Sequence, residues 1–419
     1  MQIVWVYEHE VDLAQLRLFH RNFGHGLFGR LIERSPLPFG RHRWVAAPGP
    51  PADIEIAEHR CPRADLSDWL DECAQMPVDP EKGPGWRLAM LPMDDGATAV
   101  SLVMSHCLSD GVGAFQTIVN AVKGDLSDFG YPRARSRTRM RAVARDLGHA
   151  AKGMPEVARA LRSAAGQSLR RRHEIARSKH VPQAAAPGDE LPVVAPAISA
   201  YINLDEWDAR AESLGANSHS LLAGFGARLG AGMGRSGDDG MVTVHIPISD
   251  RATDDTRANA ASIAVARLDP GSVTTDLTQA RHAVRQALTA MREVPDEALQ
   301  LLPLTPFIPK RAVRRGSQVI FGFADLPVSC SNLGALDPLV ARIDGTDAEY
   351  FMLRGVDRHV TRGFLERRGG LLTVMAGRIV GWMALTVVSY QPGATNSKAH
   401  LREQVADTLA EFGLTGAIE

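Results

Sequence analysis

Hydrophobic and polar positions along this chain follow two periods, one typical of strands and one typical of helices. Apolar runs predict strands at 41–47, 86–92, 97–105, 197–204, 241–248, 326–331, 349–354, 371–377 and 381–390. Helical spacing predicts a helix capped by Asp12, one that begins near 65–67, and others at 217–231, 274–292 and 396–414. Strands and helices in this mixed order predict an α/β fold.

The chain divides into two parts at a segment of linker composition. Residues 181–188 read Val-Pro-Gln-Ala-Ala-Ala-Pro-Gly, and a length of 419 residues fits more than one domain. We therefore expect a first half at 1–180 that ends in a basic helical connector, a linker at 181–195, and a second half at 196–419.

The segment 105–111, Ser-His-Cys-Leu-Ser-Asp-Gly, carries the strongest candidate for chemistry. It follows the apolar run 99–104 and precedes a helix-like stretch, so the pattern predicts a strand, a tight loop and a helix. A histidine such as His106 can act as a general acid or base, and Asp110 can orient a ring or hold the loop by a charge-assisted hydrogen bond. Gly111 is expected to let the backbone turn sharply before the helix.

The histidine, aspartate and glycine of this segment form an HxxxDG motif. It resembles the signature of the condensation-type acyltransferase superfamily, which has the chloramphenicol-acetyltransferase-like fold. Further segments resemble, in the same order, motifs of its bacterial wax-ester synthase/diacylglycerol acyltransferase branch. They are Pro-Val-Asp-Pro and Pro-Gly-Trp-Arg-Leu within 77–88, Leu-Gly-Ala-Asn-Ser-His-Ser-Leu-Leu-Ala at 214–223, Ile-Pro-Ile-Ser-Asp-Arg at 246–251 and Ser-Cys-Ser-Asn-Leu-Gly at 329–334. The resemblance spans about residues 5–395 and is strongest to this branch.

The resemblance implies two chloramphenicol-acetyltransferase-like sandwich halves in a V shape, with an active-site tunnel at their interface. A segment of the second half would cross to the sheet of the first. It implies transfer of an acyl group from a thioester, on CoA or on an acyl-carrier protein, to a hydroxyl acceptor, with His106 as general base. It also implies that Asp110 bonds an arginine of the other half, for which we expect Arg251, rather than acting as the acid of a triad.

Other residues are assigned supporting roles. Ser331 and Asn332 are candidate oxyanion donors, although a Ser-Asn pair also caps turns. Ser329 and Ser331 alternate along the predicted strand, so we expect both on the tunnel wall. We expect Trp86 to pack behind the catalytic strand, and Cys107 to pack rather than act as a nucleophile. No metal site is predicted, because the cysteines and histidines do not fall at metal-ligand spacing. No resident cofactor is predicted either, because acyl-CoA or a phosphopantetheinyl carrier is a co-substrate.

Two positions depart from the resembling family. Many relatives have a second histidine directly before the catalytic one, where this chain has Ser105. The 329–334 segment also continues without the usual proline and second glycine. Two alternatives therefore stay open. One is a free-standing condensation enzyme that forms an amide or ester in secondary metabolism, and the other is a non-catalytic lipid-binding or scaffold member of the fold.

The charge distribution adds a candidate surface. The net charge is −1, but residues 133–179 hold fourteen Lys and Arg against three acids. Val157, Leu161 and Leu169 fall on one side at helical spacing, which predicts one or two basic, weakly amphipathic helices. A solvated connecting helix, a surface for a carrier protein or CoA phosphates, and attraction to an anionic membrane all fit this segment. Nucleic acid is disfavoured, because the segment has no aromatic residue and no binding motif.

The expected partners follow from the predicted chemistry. They are an acyl thioester donor, a small alcohol, glyceride or amine acceptor, an acyl-carrier protein, and a membrane surface contacted through 133–179. The four cysteines are scattered, and the sequence has no apolar run of about eighteen residues and no secretory-type N-terminus. We therefore expect a cytoplasmic protein, with peripheral membrane contact as an option.

Overall fold

The computed structural model describes residues 1–175, with side chains as far as 164, and residues 190–252, 254–293, 300–308, 326–358 and 360–419. The strands are β1 (Gln2–Tyr7), β2 (Arg30–Glu33), β3 (Arg43–Ala46), β4 (Glu55–Ile56), β5 (Trp86–Pro92), β6 (Thr98–Met104), β7 (Ala197–Asn203), β8 (Val242–Ser249), β9 (Ala261–Leu268), β10 (Val328–Ala335), β11 (Tyr350–Arg354), β12 (Leu371–Ile379), β13 (Trp382–Tyr390) and β14 (Ala417–Ile418). The helices are α1 (Leu13–Phe23), α2 (Leu66–Ala74), α3 (Gly111–Lys123), α4 (Arg139–Ile175), α5 (Leu204–Ser213), α6 (Ser218–Gly232), α7 (Thr278–Glu293), α8 (Arg362–Arg367) and α9 (Lys398–Glu411).

The first half is built around a five-stranded sheet with the order β11-β1-β6-β5-β4. Its strand β1 is buried on both faces. Ile3 and Trp5 pack in the core formed with α1 and α3, whereas Val4 and Val6 pack in a cluster with α2 and the second half. Strand β1 was not predicted, although its residues 3–6, Ile-Val-Trp-Val, form an apolar run like those that predict other strands.

One strand of this sheet comes from the second half of the chain. β11 pairs antiparallel with β1, with Phe351 opposite Trp5. Arg354 at the end of β11 forms a largely buried ion pair with Asp71 on α2. The predicted crossing of a second-half segment to the first half's sheet is therefore confirmed.

The second half contains a seven-stranded sheet with the order β14-β7-β13-β12-β10-β8-β9. Helices α5, α6, α7 and α9 cover one face and form the largest apolar core. The other face lies against the first half, where Tyr201 and Trp382 join the cluster of Val4 and Val6. Strand β9 lies at the sheet edge and was not predicted from its pattern.

The two halves confirm the predicted α/β architecture. Residues 181–189 of the predicted linker at 181–195 lie outside the described residues. The last residues of the basic segment 133–179, from 176 onward, also lie outside them. Within the described residues, no helix is both long enough and apolar enough to cross a membrane.

Candidate active site

The 105–111 segment forms a tight turn between β6 and α3. The amide of Leu108 donates to the carbonyl of Ser105 at 3.0 Å, and the amide of Cys107 donates to the Ser105 hydroxyl at 3.3 Å. The amide of Ser105 itself donates to the carbonyl of Gly85 at 3.0 Å on the neighbouring segment. The residue that replaces the first histidine of many relatives therefore stabilises the turn.

His106 and Cys107 are both exposed on this turn. The expectation that Cys107 packs in the interior was wrong. It rested on the alternation of side chains along a strand, and the strand ends at Met104 before this position. The turn instead presents the His106 imidazole to the surface at the end of β6.

The second half holds the 105–111 turn from the other side. The side-chain amide of Asn259 donates to the carbonyl of His106 at 3.2 Å. The amide of Asp110 donates to the carbonyl of Ala258 at 2.8 Å. His106 therefore lies at the junction of the two halves, with its backbone fixed by both of them.

An ion pair between Asp110 and Arg251 joins the halves at this point. The Arg251 guanidinium donates to both carboxylate oxygens, with Nη2–Oδ2 at 2.8 Å and Nε–Oδ1 at 3.1 Å. The Arg251 side chain is fully buried. The same carboxylate accepts from the amides of Gly113 at 2.9 Å and Ala260 at 2.8 Å. These contacts occupy both oxygens without involving His106, so the contact predicted between Asp110 and Arg251 is present.

The surroundings of Asp110 favour its ionised form. Burial by itself raises the pKa of a carboxyl, but the hydrogen bonds from Arg251, Ala260 and Gly113 outweigh it and lower the pKa of Asp110 below its ordinary value. The carboxylate also caps the N-terminus of α3, where the helix dipole favours a negative charge. Asp110 is therefore a charged anchor of the turn.

Arg251 also forms hydrogen bonds with the backbone of the loop that follows it. Its guanidinium donates to the carbonyls of Asp255 at 2.8 Å, Arg257 at 2.9 Å and Ala258 at 2.9 Å. A single buried guanidinium thus satisfies several backbone acceptors as well as the carboxylate of Asp110. These hydrogen bonds offset the free-energy cost of burying the charge of Arg251.

Arg30 is a second buried cation at the junction, and the sequence analysis did not single it out. From β2, its guanidinium donates at 2.6 Å to the carbonyl of Leu108 in the turn, to the hydroxyl of Tyr131, and to the carbonyl of Thr256 in the second half. Burial lowers the pKa of Arg30 from its ordinary value, and Tyr131 opposes this effect. The one signal in the sequence is an arginine within the apolar stretch 27–32.

The role expected of Gly111 needs correction. Gly111 is the first residue of α3 and does not adopt a positive φ, so it makes no sharp left-handed turn. Gly113 is the sterically required glycine. A Cβ there would lie 2.3 Å from Ser109 Oγ and 3.0 Å from Arg251 Cζ. The close approach of Arg251 to the helix therefore requires glycine at 113.

The oxyanion candidates on β10 lie on different faces of the second sheet. Cys330 and Val328 pack on α6, so Ser329 and Ser331 face the first half, as their alternation predicts. Asn332 instead lines a cavity of about 200 Å³ beside α6 and α7. Its side-chain oxygen accepts from the amide of Gly334 at 2.8 Å, which is the turn-capping alternative. Ser331 thus faces the junction and Asn332 does not.

Trp86 supports strand β6, which ends at the 105–111 turn, from behind. It pairs with Met104 at the end of β6 and is 1% exposed. Its indole contacts the rings of His20 and Phe23 edge-on, at 5.2 and 4.9 Å between centroids, and donates to the carbonyl of Phe28 at 3.3 Å. Trp86 is therefore a packing residue, and it connects the end of β6 to the apolar core of the first half.

The two halves, with the histidine turn at their junction, form a fold similar to that of condensation domains. Residues 7–197, which include the turn, match the family model of the wax ester synthase/diacylglycerol acyltransferase catalytic domain. No curated protein sequence matches the chain.

Solved structures resemble the chain over nearly its whole length. The first condensation domain of the CDA synthetase has a TM-score of 0.56 at 13% identity, over 99% of this chain and 93% of that one. The wax ester synthase/diacylglycerol acyltransferase from Marinobacter aquaeolei VT8 has a TM-score of 0.53 at 14% identity, over 98% of this chain and 93% of that one. The SgcC5 protein from Streptomyces globisporus has a TM-score of 0.51 at 16% identity, over 98% of this chain and 91% of that one. These likenesses confirm the fold that the motif resemblance implied.

A pair of glycine substitutions tests the steric account of the turn. Gly113→Ala places a methyl group against Ser109, Leu27 and Arg251, so we expect a loss of roughly 1–3 kcal/mol in the free energy of unfolding. In Gly111→Ala the nearest atom is Leu333 Cδ2 at 3.8 Å, an ordinary contact, and stability should stay within about 0.5 kcal/mol of wild type. Urea denaturation measures both, and equal losses would contradict the account.

Acid titration tests the charge state of Asp110. Because its pKa is lowered on folding, its contribution to stability is complete above the unfolded pKa of about 3.9 and is lost as the pH falls through the folded pKa. The stability difference between wild type and Asp110→Asn should therefore be largest near about pH 7 and shrink near about pH 3. Urea denaturation at the two pH values measures it. A difference independent of pH would show that the carboxylate is not held ionised.

Proposed function

We propose that the protein transfers an acyl group from a thioester, on CoA or on an acyl-carrier protein, to a hydroxyl acceptor. The observation that carries the proposal is the placement of His106. It is exposed at the junction of the halves, on a turn whose backbone both halves hold. The match of 7–197 to an acyltransferase catalytic domain supports the same chemistry.

His106 acts as the general base in this proposal. A neutral ring nitrogen takes the proton from the acceptor hydroxyl as its oxygen attacks the thioester carbonyl. The carbon–sulfur bond of the tetrahedral intermediate then breaks, and the imidazolium returns the proton to the leaving thiolate. Acid–base assistance of this kind contributes a factor of about 10²–10⁴ in rate.

Ser331 is the candidate donor to the developing oxyanion. With Ser329 it faces the first half from the second sheet, whereas Asn332 faces the helices and caps its own turn. One lost oxyanion donor typically costs about 10²–10³ in rate. Asn332, with the apolar side chains Ile246, Ile248 and others of the adjacent cavity, is a candidate contact for the acyl chain rather than for the oxyanion.

Asp110 and Arg251 are positioning residues in this mechanism. Both oxygens of Asp110 are engaged by Arg251 and by two backbone amides, so the carboxylate has no contact through which to orient the His106 ring. Their role is to hold the 105–111 turn and the loop 255–260 together across the junction. The carboxylate itself undergoes no protonation change during turnover.

A second candidate function is that of a free-standing condensation enzyme that forms an amide or ester. The whole-chain likeness to condensation domains favours it. It uses the same histidine and differs in its acceptor, an amine or a hydroxyl, and in a carrier-protein donor. A non-catalytic lipid-binding or scaffold role is the alternative in which no thioester is consumed.

Release of free thiol tests these functions together. Acyl-CoA and acyl-carrier donors, each offered with alcohols and with amines, should give acceptor-dependent thiol release by the wild-type chain. His106→Ala should lower the rate by about 10²–10⁴ while circular dichroism shows an intact fold.

The matched control is Cys107→Ala, an exposed neighbour on the same turn, which should keep wild-type activity. Amine-dependent release would favour the condensation enzyme. Full activity in His106→Ala, or no thiol release by wild type with any donor, would contradict the proposed acyl transfer.

A further inference from the structure

Helix α4 exposes an apolar stripe along the outside of the first half. The stripe consists of Met140, Leu147, Met154 and Leu161, whose side chains are 84%, 47%, 52% and 56% exposed. They recur every seven residues, which returns to nearly the same side of a helix after two turns. The stripe spans about 32 Å at 1.5 Å per residue. Val157 and Leu161 were expected on one face, but Val157 is buried and Leu161 is exposed.

A row of cations runs beside this stripe. The basic row consists of Arg141, Arg145, Lys152 and Arg159, all exposed and about 100–140° further around the helix from Met140. None of the four forms an ion pair with another described residue.

The acids of this part of α4 are already neutralised. Arg137 pairs with the buried Asp146 at 2.6 Å, and Arg41 pairs with Glu156 at 3.4 Å. The outer side of the helix is therefore cationic next to an apolar stripe, without balancing negative charge in the segment 139–164.

A neighbouring element also exposes apolar side chains. The short 3₁₀ helix Leu302–Phe307 packs against α4 and exposes Leu302 and Phe307 at 54% and 44%. Ser163 on α4 donates to the side chain of Gln300 at 2.8 Å next to it. Large exposed apolar side chains thus come from two segments that contact each other, which is unusual for a surface that faces only water.

We propose that α4 is an interfacial helix that binds an anionic lipid surface, with the apolar stripe inserted among the acyl chains and the basic row on the headgroups. A helix with adjoining apolar and Lys/Arg faces lies in the plane of a bilayer in this way. A second copy of the chain would bring the same cations together without matching acids. An acidic carrier protein would meet the basic row but leave the long apolar stripe in water.

Binding of the full chain to vesicles tests the proposal. The chain should sediment with vesicles of phosphatidylglycerol mixed into phosphatidylcholine, and only weakly with phosphatidylcholine alone. Each cation near an anionic surface is worth about fivefold in affinity, so Arg145→Gln, Lys152→Gln and Arg159→Gln together should weaken binding about a hundredfold. High salt should weaken it too, because the charges are exposed.

Two further variants separate charge from apolar insertion. Leu147→Gln with Met154→Gln should reduce binding at least tenfold while the basic row is intact. The matched control replaces three exposed arginines on α7, Arg281, Arg285 and Arg292, by Gln and should bind as wild type does. All replaced side chains are exposed, and circular dichroism checks that each variant is folded.

Other outcomes overturn the proposal. Equal binding to both kinds of vesicle, or equal loss in the α4 and α7 triple variants, would show that α4 is not the contact. Binding to an acidic acyl-carrier protein but not to vesicles would assign the surface to that partner. A dimer in light scattering that Leu147→Gln with Met154→Gln dissociates, without vesicle binding, would assign it to a second copy. None of these readouts depends on acyl transfer.

Discussion

The buried ion pair between Asp110 and Arg251 joins the two halves at the point where the candidate base projects. It fixes the N-terminus of α3, the loop after β8 and the backbone of the turn with one set of contacts. Removing one partner of such a pair leaves an uncompensated buried charge and typically costs 3–5 kcal/mol. The position of His106 therefore depends on a contact between residues far apart in the sequence, and not on the turn alone.

Two further contacts reinforce this junction. Arg30 binds the turn at Leu108 and the second half at Thr256, and Asn259 holds the carbonyl of His106. The backbone of the turn is thus held from both halves, and Ser105, at the position of the preceding histidine in many relatives, leaves the turn hydrogen-bonded. In this account Asp110 and Arg251 position the turn, and His106 is the candidate base.

Local signals made much of this arrangement predictable. The apolar run of β6, the helix after Asp110 and the HxxxDG spacing lie together within residues 98–123, and the resemblance supplied Arg251. Gly111 and Cys107 were misjudged, because the strand ends and the helix begins earlier than those arguments assumed. The role of Arg30 could not be predicted, because its acceptors lie 78 and 226 residues away and only the folded chain brings them together.

A double-mutant cycle on the central ion pair tests this account most directly. The free energy of unfolding and the rate of thiol release are measured for Asp110→Asn, Arg251→Gln and the combined variant. The account predicts that each single change lowers stability and turnover together, and that the combined variant loses less than the sum, with a coupling of at least about 1 kcal/mol. Wild-type stability in Asp110→Asn together with abolished turnover would contradict it, because Asp110 would then act in the chemistry and not in holding the halves.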